Sequence, residues 1–129
     1  SNTKAVLLGN LTESGKLGKS KTSALEWYEI AARRGSGQAV QNVIFYYVAK
    51  GDDVAAMQWS KRLTNRDAGS EYLSIAKDFL TDGDRLKQDT PAAVKWYKRG
   101  LVANPDKAVR SANRFFTILR KFRILRLSD

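Results

Sequence analysis

The chain has 129 residues, 43% of them hydrophobic, and carries a formal net charge of +10 without a single cysteine or histidine. This length and apolar fraction are enough for one domain with a continuous core. Without thiols or imidazoles the chain cannot form disulfides, use a cysteine nucleophile or a histidine base, or build zinc sites from these residues.

The hydrophobic pattern predicts seven helices and no strand, at about 3–13, 20–34, 37–50, 53–65, 69–82, 90–102 and 106–123. The longest apolar run, residues 43–49, is too short to cross a bilayer, so we expect no transmembrane segment, and we find no signal peptide. The opening Ser1-Asn2 is typical of a cloning remnant, and we therefore expect a trimmed fragment of a longer protein.

The segment after the first predicted helix imitates a phosphate-binding P-loop, because residues 14–20 end in Gly18-Lys19-Ser20. That pattern also needs a glycine at the position of Glu13 and a strand where this chain has a helical pattern. We therefore predict an ordinary loop here, with no bound nucleotide and no other cofactor.

Acidic residues beside glycines raise the question of catalytic or cation sites. Asp52-Asp53 follows one glycine, and Asp82 and Asp84 flank another. Aspartates at such positions cap helices and form turns more often than they bind metals or transfer protons. We therefore predict no catalytic and no metal-binding residues, and we assign Asp52 as the N-cap of the fourth helix.

Prolines mark the start of the last two predicted helices. Thr90-Pro91 provides a candidate N-cap followed by a proline at the first helical position. Asn104-Pro105 closes the sixth helix and starts the seventh.

An alanine followed three residues later by a tryptophan recurs at intervals of about 35 residues, a period typical of helical repeats. The three pairs are Ala24 and Trp27, Ala56 and Trp59, and Ala93 and Trp96. Leu17 and Ser20 precede the first pair as Leu86 and Asp89 precede the third. The alanine lets a neighbouring helix approach closely and the tryptophan fills the wider gap, so we predict that all three tryptophans are core residues.

These residues resemble the Sel-one-like repeat (SLR), a subfamily of the tetratricopeptide-like helical repeats. The first repeat carries Ala24, Trp27, Tyr28, Ala31, Ala32 and Gly35. The third repeat carries Ile75, Ala76, Phe79, Leu86, Asp89, Ala93, Trp96 and Tyr97. The second repeat, which has a shortened loop, carries Ala39, Val43, Tyr47, Ala56 and Trp59. The fourth repeat is a single helix with Ala108, Ala112 and Phe116.

The resemblance implies an all-α fold, a right-handed α-solenoid of about three and a half antiparallel helix-pair repeats in one domain. The repeats would cover about 3–35, 36–67, 68–104 and 105–129. The resemblance further implies a non-catalytic scaffold or adaptor in a bacterial export, envelope or signalling assembly, and favours the periplasm or envelope over the cytoplasm.

The last predicted helix carries most of the charge excess, because residues 107–129 contribute +6 of the net charge. On a helical wheel Lys107, Arg110, Arg114 and Lys121 gather on one side. On the other side lies a broad apolar arc, which we predict to be buried and which contains Ala108, Val109, Ala112, Phe115, Phe116 and Leu119. The basic side is either a solvated face or a binding face.

Tetratricopeptide-like placement implies a concave binding face with an apolar, amide-bearing middle and a cationic end, suited to an acidic peptide or a carboxylate-bearing polymer. Its residues would be Gln38, Gln41, Phe45, Leu73, Lys77, Leu80, Lys107, Arg110 and Arg114. Two alternatives stay open: nucleic-acid binding through the basic last helix, and a regulatory repeat domain of a larger enzyme. Nucleic acid is disfavoured because the basic residues lack interleaved exposed aromatics.

The chain end mixes Phe122, Ile124, Leu125 and Leu127 with basic residues, whereas terminal repeats usually present a polar outer face. We expect residues 122–127 to continue into another repeat, or to bury Phe122 and Leu125 against a partner or a second copy of the chain.

Overall fold

The computed structural model describes the backbone of residues 2–13, 23–81 and 85–128, and the side chains in these ranges except at 2, 11–13 and 122–128. All regular structure in these ranges is helical, which confirms the all-α prediction for this part of the chain. The helices are α1 (Asn2–Glu13), α2 (Ala24–Arg33), α3 (Gly37–Ala49), α4 (Asp53–Ser60), α5 (Asn65–Leu80), α6 (Thr90–Ala103) and α7 (Pro105–Ser128).

The chain divides into two compact units, the first covering residues 1–63 with α1–α4 and the second covering residues 64–129 with α5–α7. Within the described ranges, every helix is too short or too polar to span a membrane. The right-handed solenoid and its repeat boundaries stay predictions.

Small side chains let the helices of the first unit approach closely. Its completely buried residues are Ala31, Ala39, Val43, Ile44 and Ala56. Between α1 and α2, the Tyr28 ring occupies the space over Gly9, where a Cβ atom would lie 2.6 Å from the ring. The Tyr28 hydroxyl donates a hydrogen bond to Asn10 Oδ1. The missing side chain at position 9 therefore allows α1 to pack on α2.

Two connections in the first unit use the same turn. Gly35 follows α2 and Gly51 follows α3, with φ angles of +98° and +80° that favour glycine. At each turn the N–H groups of the glycine and of the next residue donate back to carbonyls of the helix that ends there. That next residue, Ser36 or Asp52, also accepts a hydrogen bond through its side chain and caps the following helix, which confirms the assignment of Asp52.

The predicted boundary between the fourth and fifth helices is wrong. The fourth helix ends at Ser60 instead of 65, and the fifth begins at Asn65 instead of 69. The cause is Thr64, whose hydroxyl accepts a hydrogen bond from the Asp67 N–H at 3.2 Å and caps α5 four residues early.

The start of α2 also differs from the prediction: the helix begins at Ala24 instead of about 20, because Ser23 caps it. The start of α6 at Thr90 agrees with the prediction, but its N-cap is Asp89 and not Thr90, since the Asp89 carboxylate accepts a hydrogen bond from the Ala92 N–H at 3.1 Å. The last helix is longer than predicted and continues to Ser128. The described part does not include the predicted loop at 14–20, the predicted turn at 82–84, or the side chains of Phe122 and Leu125.

The second unit is built on a close contact between α5 and α6. A Cβ atom at Gly69 would lie 2.7 Å from the Asn104 backbone nitrogen, and one at Gly100 would lie 2.6 Å from the Leu73 side chain. Beside this contact Trp96 is completely buried, with its ring centroid 5.5 Å from that of Tyr72. Glycine at both positions therefore sets the distance at which the core of this unit closes.

Asn104 joins all three helices of the second unit. It ends α6, and its buried side-chain amide donates hydrogen bonds to the Arg66 carbonyl and the Ser70 hydroxyl of α5, at 3.1 and 3.3 Å. Its Oδ1 atom accepts a hydrogen bond from the Lys107 N–H at 3.3 Å and caps α7. The predicted junction at Asn104-Pro105 is confirmed, and Asn104 also fixes where α7 begins relative to α5.

The core prediction for the tryptophans holds fully for one of the three. Trp96 is completely buried, whereas Trp27 and Trp59 are only half-buried. The equivalence of the first and third repeats is also incomplete, since Ala93 is completely buried while Ala24 is half-buried.

Candidate functional site

A cavity of about 260 Å³ lies within the second unit and is lined by α5, α7 and one residue of α6. We call it the α5–α7 cavity. Four buried apolar side chains form its floor, namely Leu73, Leu80, Tyr97 and Phe115. The exposed side chains of Lys77, Lys107 and Arg114 stand at its mouth and are called the basic rim. Ser70, Ser74, Ser111 and Ile118 complete the lining.

Helical spacing brings these residues together. On α5 the lining positions recur every three or four residues from Ser70 to Leu80, and on α7 from Lys107 to Ile118. One face of each helix therefore points towards the cavity. The cap that Asn104 supplies to α7 sets the register of this face, because Lys107 is the residue whose N–H donates to Asn104.

The aromatic part of the floor is held in place by several contacts. The rings of Tyr97 and Phe115 stack with centroids 4.3 Å apart. The Tyr97 hydroxyl donates a hydrogen bond to the Ala108 carbonyl at 2.8 Å, and burial raises the pKa of this phenol. The floor is therefore a preformed apolar surface whose one buried hydroxyl is already hydrogen-bonded.

Within the described part of the chain, the basic rim has no counter-charge at ion-pair distance, because no carboxylate there forms an ion pair with Lys77, Lys107 or Arg114. Glu71 lies close enough to Lys107 to interact with it electrostatically. Burial raises the pKa of the Glu71 carboxyl, Arg85 opposes this rise, Asp78 adds to it and Lys107 opposes it. Three positive charges thus surround an apolar cavity without an ion-pair partner among the described residues.

The structure brings together part of the predicted binding face. Leu73, Lys77, Lys107 and Arg114 all line the α5–α7 cavity, together with Leu80. Arg110 is exposed on α7 but does not line the cavity. In the first unit, α3 carries the other three predicted residues, of which Gln38 and Gln41 are exposed and Phe45 is half-buried.

Sequence reasoning missed the aromatic floor. Phe115 was assigned to the buried arc of the last helix, and Tyr97 was treated only as a repeat position. The arc itself is wrong in part, because Val109 and Phe116 are 67% and 45% exposed. The helices α5 and α6 cover only the side of α7 centred on Ala108 and Phe115, so the far edge of the arc stays in solvent.

Among the described residues no three His, Cys, Asp or Glu side chains lie together as a metal site would require. Comparison with known proteins finds no matching family model, no matching curated protein and no matching solved structure. The resemblance to SLR proteins therefore rests only on the residues of the repeat pattern.

Proposed function

We propose that this chain is a non-catalytic interaction module that binds an acidic peptide, or a carboxylate-bearing polymer, at the α5–α7 cavity. The observation that carries the proposal is the basic rim around an apolar floor, since the rim forms no ion pair with any of the described carboxylates. Lysine and arginine form strong charge-assisted hydrogen bonds with carboxylates, and a partly desolvated position strengthens them further.

The resemblance to SLR proteins supports the role of an adaptor or scaffold in a bacterial export, envelope or signalling assembly. In that setting the α5–α7 cavity is the charged binding site of the second unit. For the first unit, the exposed amides Gln38 and Gln41 and the half-buried Phe45 on α3 are a separate candidate contact. A right-handed solenoid is the arrangement that this role favours.

Charge reversal at the rim tests the proposal. In the double variant Lys107→Glu and Arg114→Glu, we expect affinity for a labelled oligoglutamate peptide to fall by at least about tenfold, because two attractive contacts become repulsive. Fluorescence anisotropy measures the affinity. The melting temperature from circular dichroism should change little, because exposed charges contribute little to stability.

The matched control is Lys98→Glu with Arg120→Glu, which changes the net charge equally at two exposed positions outside the cavity. We expect this control to weaken binding by no more than about twofold at moderate salt, because such distant charges are screened. An equal loss of affinity in both double variants would show general charge attraction and contradict the proposed site.

One observation favours nucleic-acid binding as a second candidate. In the first unit, the guanidinium groups of Arg33 and Arg62 lie 5.7 and 4.8 Å from the centre of the Trp59 ring. The Lys50 ammonium lies 4.7 Å from the centre of the Tyr46 ring. Aromatic rings interleaved with cations are typical of surfaces that bind single strands. Here, however, the indole is half-buried and already engaged by two arginines.

A salt titration separates the two candidates. We expect single-stranded and duplex oligonucleotides to bind weakly at 50 mM salt and to dissociate by about 200 mM, as non-specific phosphate contacts do. Filter binding or anisotropy measures this. Affinity that survives 200 mM salt and falls on replacing Trp59 with alanine would favour nucleic-acid recognition instead.

A further inference from the structure

The size of the α5–α7 cavity restricts what can enter it. Sites for small-molecule ligands usually measure about 300–1,000 Å³. This cavity, at about 260 Å³, is smaller than that range and suits a single large side chain. In protein interfaces one buried side chain in a fitted pocket often supplies much of the binding energy.

The chemistry of the lining selects an apolar side chain. The floor is formed by Leu73, Leu80 and the stacked Tyr97 and Phe115 rings. Of the hydroxyl groups in the lining, Ser111 already donates to backbone carbonyls of α7. Ser70 already accepts a hydrogen bond from Asn104. A polar side chain in the cavity would therefore lose its hydration against an apolar floor with little return.

The rim places positive charge on both sides of the cavity mouth. Lys107 and Arg114 lie seven residues apart on one face of α7, about 10.5 Å along the helix axis. Lys77 stands opposite them on α5. In an extended peptide, the side chains two positions before and two positions after a given residue lie on the same side of the peptide as that residue. These two flanking side chains are about 13 Å from each other. The Lys107 and Arg114 side chains are long and flexible enough to reach carboxylates at this slightly larger separation.

We propose that the cavity holds one leucine- or phenylalanine-sized side chain of an extended partner segment that has acidic residues two positions before and after it. This inference rests on the function proposed above and makes it more specific. The floor determines the apolar anchor, and the rim determines the flanking carboxylates. Because the floor is preformed, the anchor enters without a prior rearrangement of α5 and α7.

Three blocked, labelled peptides test the inference: Gly-Glu-Ser-Leu-Ser-Glu-Gly, the same peptide with alanine for leucine, and the same peptide with glutamine for both glutamates. We expect the leucine peptide to bind at least about tenfold more tightly than the alanine peptide, since burial of a leucine side chain accounts for such a ratio. The glutamine peptide should lose at least as much affinity, because it makes no charge-assisted contact with the rim.

A cavity-filling variant locates the anchor. Ser74 is exposed and lies at the mouth, so Ser74→Phe should fill the cavity without disturbing the core, and Ser74→Ala leaves it open as the matched control. We expect Ser74→Phe to bind the leucine and alanine peptides equally and Ser74→Ala to keep the preference for leucine. An unchanged melting temperature by circular dichroism shows that both variants are folded.

The outcomes distinguish failure of this inference from failure of the proposed function. Equal binding of the leucine and alanine peptides by the unmodified chain, with loss on charge reversal of the rim, would overturn the anchor and leave the acidic-peptide function intact. No binding of either acidic peptide would overturn both. Octanoate provides the last comparison. If it displaces the leucine peptide at octanoate concentrations lower than the Kd of that peptide, the peptide assignment is overturned in favour of a fatty-acid carboxylate.

Discussion

Replacing Trp96 with alanine is expected to destabilise the second unit by about 3–5 kcal/mol, the range for removing a buried aromatic side chain. The indole is completely buried, lies 5.5 Å from the Tyr72 ring, and has the Arg99 guanidinium 4.4 Å from its ring centre. Because α5 and α6 are already in close contact at Gly69 and Gly100, they have little freedom to close over the space that the indole leaves.

Urea denaturation followed by circular dichroism measures the effect as a lower midpoint. Trp59→Ala is the matched control, since the half-buried Trp59 indole is covered in part by two arginines instead of by packed helices. We expect this control to cost clearly less. A midpoint for Trp96→Ala that equals that of the unmodified chain would contradict the assignment of Trp96 to the core.

Gly69→Ala is expected to destabilise the second unit by about 3 kcal/mol, although it adds only a methyl group to a helix. The new Cβ atom would lie 2.5 Å from the Asn104 Cβ and 2.7 Å from its backbone nitrogen, so α5 must move away from the α6–α7 junction. Overpacking of this kind costs about 1–3 kcal/mol. The displaced Asn104 amide would also lose its hydrogen bonds to α5, at about 1 kcal/mol each.

Gly37→Ala is the control for Gly69→Ala, because a Cβ atom at Gly37 meets nothing within 4 Å and the position is also helical. Alanine there should be neutral or stabilise the first unit by up to about 1 kcal/mol, as helix propensity predicts. Chemical denaturation compares the two variants. Similar midpoints for both would show that α5 and α6 tolerate a larger separation than their contact at Gly69 indicates.

The sequence predicts best where a local pattern and the tertiary environment agree. The segment from Leu86 to Trp96, which matches the first Ala–Trp copy in sequence, is an example. Leu86, Ala93 and Trp96 are buried and Asp89 caps α6. Helical spacing likewise placed Lys107 and Arg114 on one face of α7, because the period of a helix is a local property.

The sequence predicts less well how much of each helix its neighbours cover. The fifth helix was predicted to begin at Gly69, yet Gly69 lies inside α5, where a side chain would collide with Asn104. Val109 and Phe116 were assigned to a buried arc whose width depends on the angles at which α5 and α6 cross α7. Such angles follow from contacts between residues far apart in the chain, which periodicity does not contain.

The floor of the α5–α7 cavity, to which three helices contribute, also depends on contacts between residues far apart in the chain. Tyr97 reaches it from α6 and Phe115 from α7, and the Tyr97 hydroxyl also donates a hydrogen bond to the Ala108 carbonyl of α7. Nothing in the spacing of the two residues along the chain indicates that their rings meet. Lys107 and Arg114 were therefore predictable from the helical wheel, and Leu73, Lys77 and Leu80 from the tetratricopeptide-like placement. The aromatic part of the floor was not predictable in either way.

The turns at Gly35 and Gly51 have a consequence for how such a chain grows. Each turn needs only a glycine after the helix and a serine or aspartate after the glycine, and the latter already starts the next helix. A duplicated stretch of coding sequence that ends in these residues would carry its own connection with it. Lengthening the array by copying would then require no new linker, whereas inserting one residue between the glycine and the cap would disrupt the end of one helix and the start of the next at once.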